Sequence, residues 1–238
     1  MLDTFTLAPG FRAAATACGL KTSSAMAASN LDLALVAAEA PCSAAGVFTS
    51  NRVKAAPVLY DQEVLAQNAG SIRAVITNAG NANAVTGAQG LADARQMAAL
   101  TAYALRCQPD QVLVLSTGVI GRPLAMDKVT QGIAVVASPA AEQGAPAAAR
   151  AIMTTDTRPK VASTTVTIAG APVTISGFCK GAGMIHPDMA TLLAIVTTDA
   201  QVAPDVLHNA LKAAADVSFN RISVDGDTST NDTLLLLA

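Results

Sequence analysis

The stretch RAVITNAGNANAVTGAQGLADARQMAALTAYALRCQPDQVLVLSTGVIG, residues 73–121, decides the fold of this chain. Its first part, residues 73–78, is a short apolar run typical of a buried strand, and a loop rich in Gly and Asn follows it. Residues 90–105 carry apolar side chains at helical spacing, and residues 111–116 form a second apolar strand. A strand, a helix and a strand in this order indicate an α/β fold.

The same alternation of apolar runs and Ala-rich helical stretches extends over the rest of the chain. We expect further strands at residues 31–38, with a turn at Pro41, and at residues 46–49, 191–197 and 233–237. Residues 163–168 and 171–176 alternate at period two around Ala169-Gly170, which predicts a hairpin. Helices are expected at residues 129–136, 145–153 and 204–215, the last with Pro204 in its first turn.

The composition limits the possible functions. Hydrophobic residues make up 52% of the 238 residues but aromatic residues only 3%, so the core must consist of small and aliphatic side chains that pack helices tightly on sheets. The formal net charge of −2 leaves no basic face for nucleic acid. Two His residues are too few for a His-based metal site, and no metal is expected.

The four cysteines are widely scattered without a C-x-x-C pair, which argues against zinc and thioredoxin-type sites and for free, mostly buried thiols in a reducing compartment. The N-terminus does not resemble a signal peptide, and no apolar run reaches the length of a membrane span. We therefore expect a cytoplasmic protein. The sequence stops on the apolar run 233–237, from which we expect that it is a fragment of a longer protein.

Thr191, in the run KGAGMIHPDMAT (residues 180–191), is the candidate nucleophile. A Thr hydroxyl becomes a good nucleophile when Thr is the first residue of a chain, because its α-amine, with a pKa of about 8, then acts as the base. This requires cleavage of the Ala190–Thr191 bond, and the small Ala190 leaves room for the hydroxyl to attack the upstream carbonyl. The alternative is an ordinary strand residue, since β-branched Thr is common in strands.

Three further places carry candidate side chains. Thr117-Gly118 follows a buried strand and can offer a hydroxyl and a backbone N–H to a developing oxyanion, although an ordinary loop is the alternative. A single Lys such as Lys180 is usually a solvated surface residue. Its neighbours Cys179 and Gly181 indicate instead that the Lys180 side chain is partly enclosed. Thr154, in the run 154–157 that closes a helix, can supply a hydroxyl to a polar substrate or bond locally to the backbone.

The run at residues 180–191 closely resembles the self-cleavage signature of the glutamate N-acetyltransferase family, also called ornithine acetyltransferases. Other segments resemble the family in the same order along nearly the whole chain: GFRAA (10–14), FTSNRVKAAP (48–57), NAGNANA (78–84), STGVIG (116–121), IMTTDT (152–157) and SFNRISVDGDTSTND (218–232). Matches that are colinear over this length are far more specific than any single motif.

The resemblance implies an acyltransferase of arginine biosynthesis that moves acetyl from N-acetylornithine to glutamate. It implies a ping-pong mechanism through an acetyl-threonine ester, with acetyl-CoA as a possible second donor and no other cofactor. It also implies a layered sheet core covered by helices, of the N-terminal-nucleophile-like type, and two cleavage products that stay together and pair into a heterotetramer.

Carried over position by position, the resemblance makes Thr191 the nucleophile and Thr117 and Gly118 the oxyanion hole. Thr154, Lys180 and Thr191 would contact the substrate, and Lys180 suits this because its ammonium can pair with a carboxylate. Cleavage between Ala190 and Thr191 would divide the chain into residues 1–190, an α chain, and residues 191–238, the start of a truncated β chain.

Two features depart from the family. Its members are longer and take a Glu, an Asn, and a Ser or Thr of the substrate site from later positions, and Ala79 differs in the Asn-rich loop, which is tolerable. The missing positions leave the activity of the chain by itself open. The alternatives are an N-terminal-nucleophile aminopeptidase or amidase that passes the acyl group to water, and an inactive fragment.

Overall fold

The computed structural model describes residues 2–21, 30–186 and 192–238, so the predicted cleavage site at Ala190 and Thr191 lies outside the described residues. Ten strands and five α-helices make up the described regular structure, besides two short 3₁₀ turns. In chain order they are β1 (Phe11–Thr16), β2 (Leu33–Cys42), β3 (Ala44–Phe48), α1 (Ala56–Asn68), β4 (Ile72–Asn81), α2 (Gly87–Leu105), β5 (Val112–Val119), α3 (Met126–Val136), β6 (Glu142–Gln143), α4 (Ala145–Ala151), β7 (Lys160–Ile168), β8 (Ala171–Lys180), β9 (Leu193–Thr198), α5 (Pro204–Val217) and β10 (Thr233–Leu237).

The strands form two five-stranded sheets. The first has the order β5-β4-β2-β1-β6, and the second has the order β3-β10-β9-β8-β7. Each sheet contains one parallel pair, β4 with β5 and β10 with β9, and all other neighbours are antiparallel. Helix α2 connects the first parallel pair and α5 the second, because parallel strands need a crossover connection.

The two sheets share one apolar core. Its main cluster contains side chains of the first sheet, of α2, α3 and α4, and of one face of the second sheet, including Ile195 and Leu235. Neighbouring residues of a strand point to opposite faces, so Ala194 and Leu234 lie on the other face, where they pack with Leu211 of α5. The result is the layered α/β core that the family resemblance implies.

The strand register determines where the candidate site forms. Thr117 and Gly118, at the carboxyl end of β5, lie beside Ala79 and Gly80 of β4. In the second sheet, Lys180 at the end of β8 pairs with Leu193, and Leu193 also pairs with Thr233 at the start of β10. Polar residues at these strand ends are therefore brought to one region of the molecule.

Every strand and helix predicted from the sequence is present, with ends that differ by a few residues. The predicted turn at Pro41 was wrong, because β2 continues to Cys42. Its pairing with β4 shifts register between Ala37 and Cys42, and Pro is tolerated at such an irregularity since its missing N–H breaks no ladder bond there.

The sequence did not indicate β1 or α1. The buried face of α1 carries Asp61 together with Val58 and Val64, which breaks the apolar pattern expected of a helix. The four cysteines are free thiols, as predicted, and each is partly buried. Over the described part of the chain, no helix has both the length and the apolar composition needed to cross a bilayer.

Candidate active site

A cavity of about 430 Å³ lies between the strand ends of the two sheets. Its wall contains the four described residues that the sequence predicted for the site: Thr117, Gly118, Thr154 and Lys180. The wall also includes residues 182–184 of the segment after β8, and Asp225, Asp227, Ser229 and Asn231 from the segment before β10. Four residues that are up to 63 positions apart in sequence, from Thr117 to Lys180, therefore share one cavity.

Any side chain at position 118, at the end of β5, would be strained and crowded. The Gly118 φ of +135° is one that residues with a side chain rarely adopt. A Cβ added there would stand 2.3 Å from the carbonyl carbon of Gly80 in the neighbouring strand. The close approach of these two glycine backbones places Thr117 and Gly118 at the cavity wall.

The Asn-rich loop after β4 is fixed by its own amide side chains. Asn78 accepts a hydrogen bond from Ser116 Oγ at 2.6 Å and donates one to the Asn81 carbonyl at 2.8 Å. Asn83 donates to the Gly90 carbonyl at 2.8 Å, which connects the loop to the start of α2. The ends of β4 and β5 are thereby held in one arrangement.

Asn231 connects the two sheets, and the sequence did not single it out. Its Nδ2 donates to the carbonyl of Ala82 at 2.6 Å and to that of Ser116 at 2.9 Å, while its Oδ1 accepts from Thr230. Since Asn231 lies two residues before the start of β10, these bonds position the second sheet against the end of β5. The resemblance of residues 218–232 to the family was the only available signal.

Lys180 is enclosed, not solvated. It is only 4% exposed. Burial lowers the pKa of Lys180 below its usual value, although the carboxylates of Asp156 and Asp232 oppose this by favouring the charged form. A buried cation in a cavity wall is suited to pair with an anionic group of a ligand.

Asp156 is a second residue that sequence analysis did not single out. Its Oδ1 accepts hydrogen bonds from Lys160 Nζ at 2.5 Å and from the Gly181 N–H at 2.8 Å, and its Oδ2 accepts from the Thr154 N–H at 3.3 Å. Burial opposes ionisation, but the hydrogen bonds from Lys160 and Gly181 and the charges of Lys160 and Lys180 together hold the pKa of Asp156 below its ordinary value.

The arrangement combines a hydroxyl and a strand-end N–H at Thr117-Gly118 with a buried cation at Lys180. These groups can stabilise a developing oxyanion and bind a carboxylate within one cavity. Among residues 2–21, 30–186 and 192–238, no three His, Cys, Asp or Glu side chains form a group that could hold a metal ion.

The chain matches the family model described as the ArgJ family over residues 12–238. The chain belongs to the ArgJ family. The arginine biosynthesis bifunctional protein ArgJ of Thermotoga neapolitana is 53% identical over 207 residues, which are 87% of this chain and 52% of that protein. The chain thus spans about half the length of the curated ArgJ relatives it matches.

Two crystal structures of related proteins resemble the fold. ArgJ of Bacillus halodurans has a TM-score of 0.68 and 39% identity, covering 78% of this chain and 92% of that one. Mycobacterium tuberculosis ornithine acetyltransferase, complexed with ornithine, has a TM-score of 0.63 and 42% identity, covering 78% and 94%. The Ochrobactrum anthropi l-aminopeptidase d-Ala-esterase/amidase, a variant of the Ntn hydrolase fold, has a TM-score of 0.55 at 11% identity, covers 97% of this chain and 72% of its own, and supports the fold alone.

Proposed function

We propose that this chain carries the nucleophile of an enzyme that transfers acetyl from N-acetylornithine to glutamate, with Thr191 as that nucleophile. One observation supports this above all: the cavity brings together Thr117, Gly118, Thr154 and Lys180, which were selected as site residues from the sequence. Membership of the ArgJ family, whose relatives are named for arginine biosynthesis, supports the same reaction.

The first step is self-cleavage of the Ala190–Thr191 bond. The Oγ of Thr191 attacks the carbonyl carbon of Ala190, the C–N bond breaks, and the hydroxyl proton passes to the Thr191 nitrogen. Water then hydrolyses the resulting ester, which leaves a carboxyl group on Ala190 and returns the hydrogen to Oγ. The products are residues 1–190 and a segment that begins with a free Thr191 amine.

The second step is acetyl transfer through Thr191. Oγ attacks the acetyl carbon of N-acetylornithine, and its proton moves by way of the free α-amine to the nitrogen that leaves with ornithine. The amine of glutamate then attacks the acetyl-threonine ester, the C–Oγ bond breaks, and a proton returns to Oγ. Acetyl-CoA is a second possible donor for the first half of this cycle.

The cavity residues take distinct roles in the proposal. Thr117 Oγ1 and the Gly118 N–H donate hydrogen bonds to the oxyanion, an interaction typically worth 10²–10³ in rate for each donor. The Lys180 ammonium pairs with a substrate carboxylate, and Thr154 offers a hydroxyl to the amino-acid part. We further propose that the cleavage products remain together in a heterotetramer and act in the cytoplasm.

The test uses the full-length gene product. Intact mass is expected to give two pieces, the second starting at Thr191, whereas a Thr191→Ala protein should stay whole. The cleaved enzyme should transfer acetyl from N-acetylornithine to glutamate, and Thr117→Ala should slow the transfer by about 10²–10³. Release of acetate without formation of N-acetylglutamate would identify a hydrolase and overturn the proposal.

A further inference from the structure

One segment of the chain, residues 224–233, contacts the polypeptide on both sides of the bond proposed to be cut. The described residues nearest to that bond with such contacts are Met184 and Ile185 before it and Leu192 after it. Self-cleavage needs the Thr191 hydroxyl and the Ala190 carbonyl to meet in one geometry, so the contacts that hold the chain on either side bear on its rate.

The upstream contact is made by the Asp225 carboxylate. Its Oδ2 accepts the N–H of Met184 at 2.5 Å, and its Oδ1 accepts the N–H of Ile185 at 2.9 Å. The Ile185 carbonyl in turn accepts from the N–H of Val224 at 2.9 Å and that of Gly226 at 3.4 Å. The segments around Ile185 and Asp225 therefore both donate and accept hydrogen bonds, as two paired β-strands do.

The conformation of Met184 depends on this support. Its φ is +60°, in the left-handed region that a Met residue rarely adopts. Such a conformation persists only where surrounding contacts impose it. The hydrogen bond from the Met184 N–H to Asp225 is a contact of this kind, and it also holds the pKa of Asp225 below its usual value, so the carboxylate is charged at neutral pH.

The downstream contact is made at the start of β10. Asp232 Oδ1 accepts the N–H of Leu192 at 2.9 Å, and the Leu192 carbonyl accepts the N–H of Thr233 at 3.0 Å. Leu192 directly follows Thr191. The two anchors therefore belong to one continuous segment, which contacts Ile185 before the proposed cut and Leu192 after it.

We propose that Asp225 is a positioning residue for self-cleavage, which acts by holding the segment before the cut while Asp232 holds the residue after it. The inference rests on the proposed self-cleavage at Thr191. Both oxygens of Asp225 are occupied by backbone N–H groups, so this carboxylate acts on the chain itself, although it lines the cavity. Without it, the segment leading to the cut loses its anchor and samples geometries that do not react.

The experiment follows self-cleavage of the full-length gene product by intact mass at intervals after synthesis. Asp225→Ala should slow cleavage at least tenfold, and Asp225→Asn, which keeps one acceptor oxygen, should fall between Asp225→Ala and the wild type. Asp199→Ala is the matched control, because Asp199, which is exposed directly after β9, also accepts a backbone N–H through its Oδ1, that of Thr174 at 2.7 Å. This control should cleave at the wild-type rate.

The outcomes separate the two proposals. Cleavage of Asp225→Ala at the wild-type rate overturns the positioning role, and so does equal slowing by Asp199→Ala, which would indicate a general loss of stability. Faster self-cleavage of Asp225→Asn than of Asp225→Ala supports the positioning role even where Asp225→Ala folds poorly. A wild-type protein that stays intact, or a Thr191→Ala protein that is cut, instead overturns the proposed self-cleavage at Thr191.

Discussion

The Oδ1 of Asp156 accepts the N–H of Gly181 at 2.8 Å and thereby joins the loop after α4 to the end of β8. The same carboxylate accepts the N–H of Thr154 at 3.3 Å. One buried carboxylate thus holds Thr154 close to Gly181, the residue after Lys180. The proposal assigns Thr154 and Lys180 to substrate binding. The negative charge of Asp156 also interacts favourably with the charges of Lys160 and Lys180.

Asp156→Asn should destabilise the fold by about 1–3 kcal/mol, because it removes a buried hydrogen-bonding charge whose partners stay in place. The Michaelis constant for the amino-acid substrate should rise as well, since the wall that carries Thr154 loses its anchor. Urea unfolding and steady-state kinetics measure both. Glu63→Gln breaks the half-exposed pair with Arg95 and should cost less than about 1 kcal/mol, so equal losses would contradict the argument.

Because of Asp156, the free energy of unfolding should also decrease at acidic pH. The pKa of Asp156 is depressed in the folded state, so the stabilisation is present above the unfolded pKa of about 3.9 and is lost as pH falls through the folded pKa. Urea midpoints between pH 2.5 and 6 should therefore fall more steeply in the wild type than in Asp156→Asn. Parallel curves would indicate that the carboxylate gains nothing from its partners.

Asn231 provides a test of the contact between the sheets. Asn231→Ala should cost about 1–3 kcal/mol, because the carbonyls of Ala82 and Ser116 lose their donor. Asn231→Asp should cost more, since it turns a carboxylate oxygen toward the same two carbonyls. Asn68→Ala removes a similar bond to the Asp110 carbonyl near the surface and should cost less than about 1 kcal/mol. Denaturant unfolding gives the order, and an Asp variant as stable as the Ala variant would refute it.

Sequence patterns predicted most elements because their apolar residues recur at the period of the element, as in β5 and α5. The pattern failed where tertiary contacts decide. Helix α1 buries Asp61, whose carboxylate meets the Val114 N–H of β5, a partner distant in sequence. Strand β2 passes through Pro41 because its partner β4 leaves register there, which no local signal in β2 records.

The candidate site divides in the same way. Thr117, Gly118, Thr154 and Lys180 were found because they stand in motifs that resemble a family. Asp156 and Asn231 were not found, because their role lies in hydrogen bonds to backbone groups such as the Gly181 N–H and the Ser116 carbonyl. Such bonds exist only after the strand ends have come together, so residue type and spacing cannot indicate them.

Gly118→Ala tests the close approach of β4 and β5. The backbone conformation alone should cost about 1–3 kcal/mol, and the contact of the new Cβ with Gly80 adds to this. Gly121→Ala is the matched control, because Gly121 has a φ of +78° but nothing within 4 Å of an added Cβ, and should cost about 1–2 kcal/mol. Thermal or urea unfolding should rank Gly118→Ala as clearly worse, and equal losses would remove the steric part of the argument.

The pH dependence of stability that Asp61 causes should be opposite to that of Asp156: the free energy of unfolding should decrease as pH rises. Asp61 is 0% exposed, its Oδ1 accepts the Val114 N–H at 2.7 Å, and its Oδ2 makes no hydrogen bond to any described residue. Burial raises the pKa of Asp61 well above its usual value, so the folded state keeps a proton that the unfolded chain releases near pH 4. Its contribution is then fully present below that pH and is lost as pH rises through the folded pKa, by up to about 1.4 kcal/mol per pH unit.

Asp61→Asn keeps an acceptor oxygen for Val114 and cannot ionise, so its stability relative to the wild type should increase as pH rises from about 4 and level off above the folded pKa of Asp61. Urea unfolding of both proteins across this range measures the difference. Because only the slope with pH is compared, any constant cost of placing an amide in the core cancels. A difference that does not change with pH would mean that Asp61 is ionised in the folded protein, and that the single bond to Val114 offsets its burial.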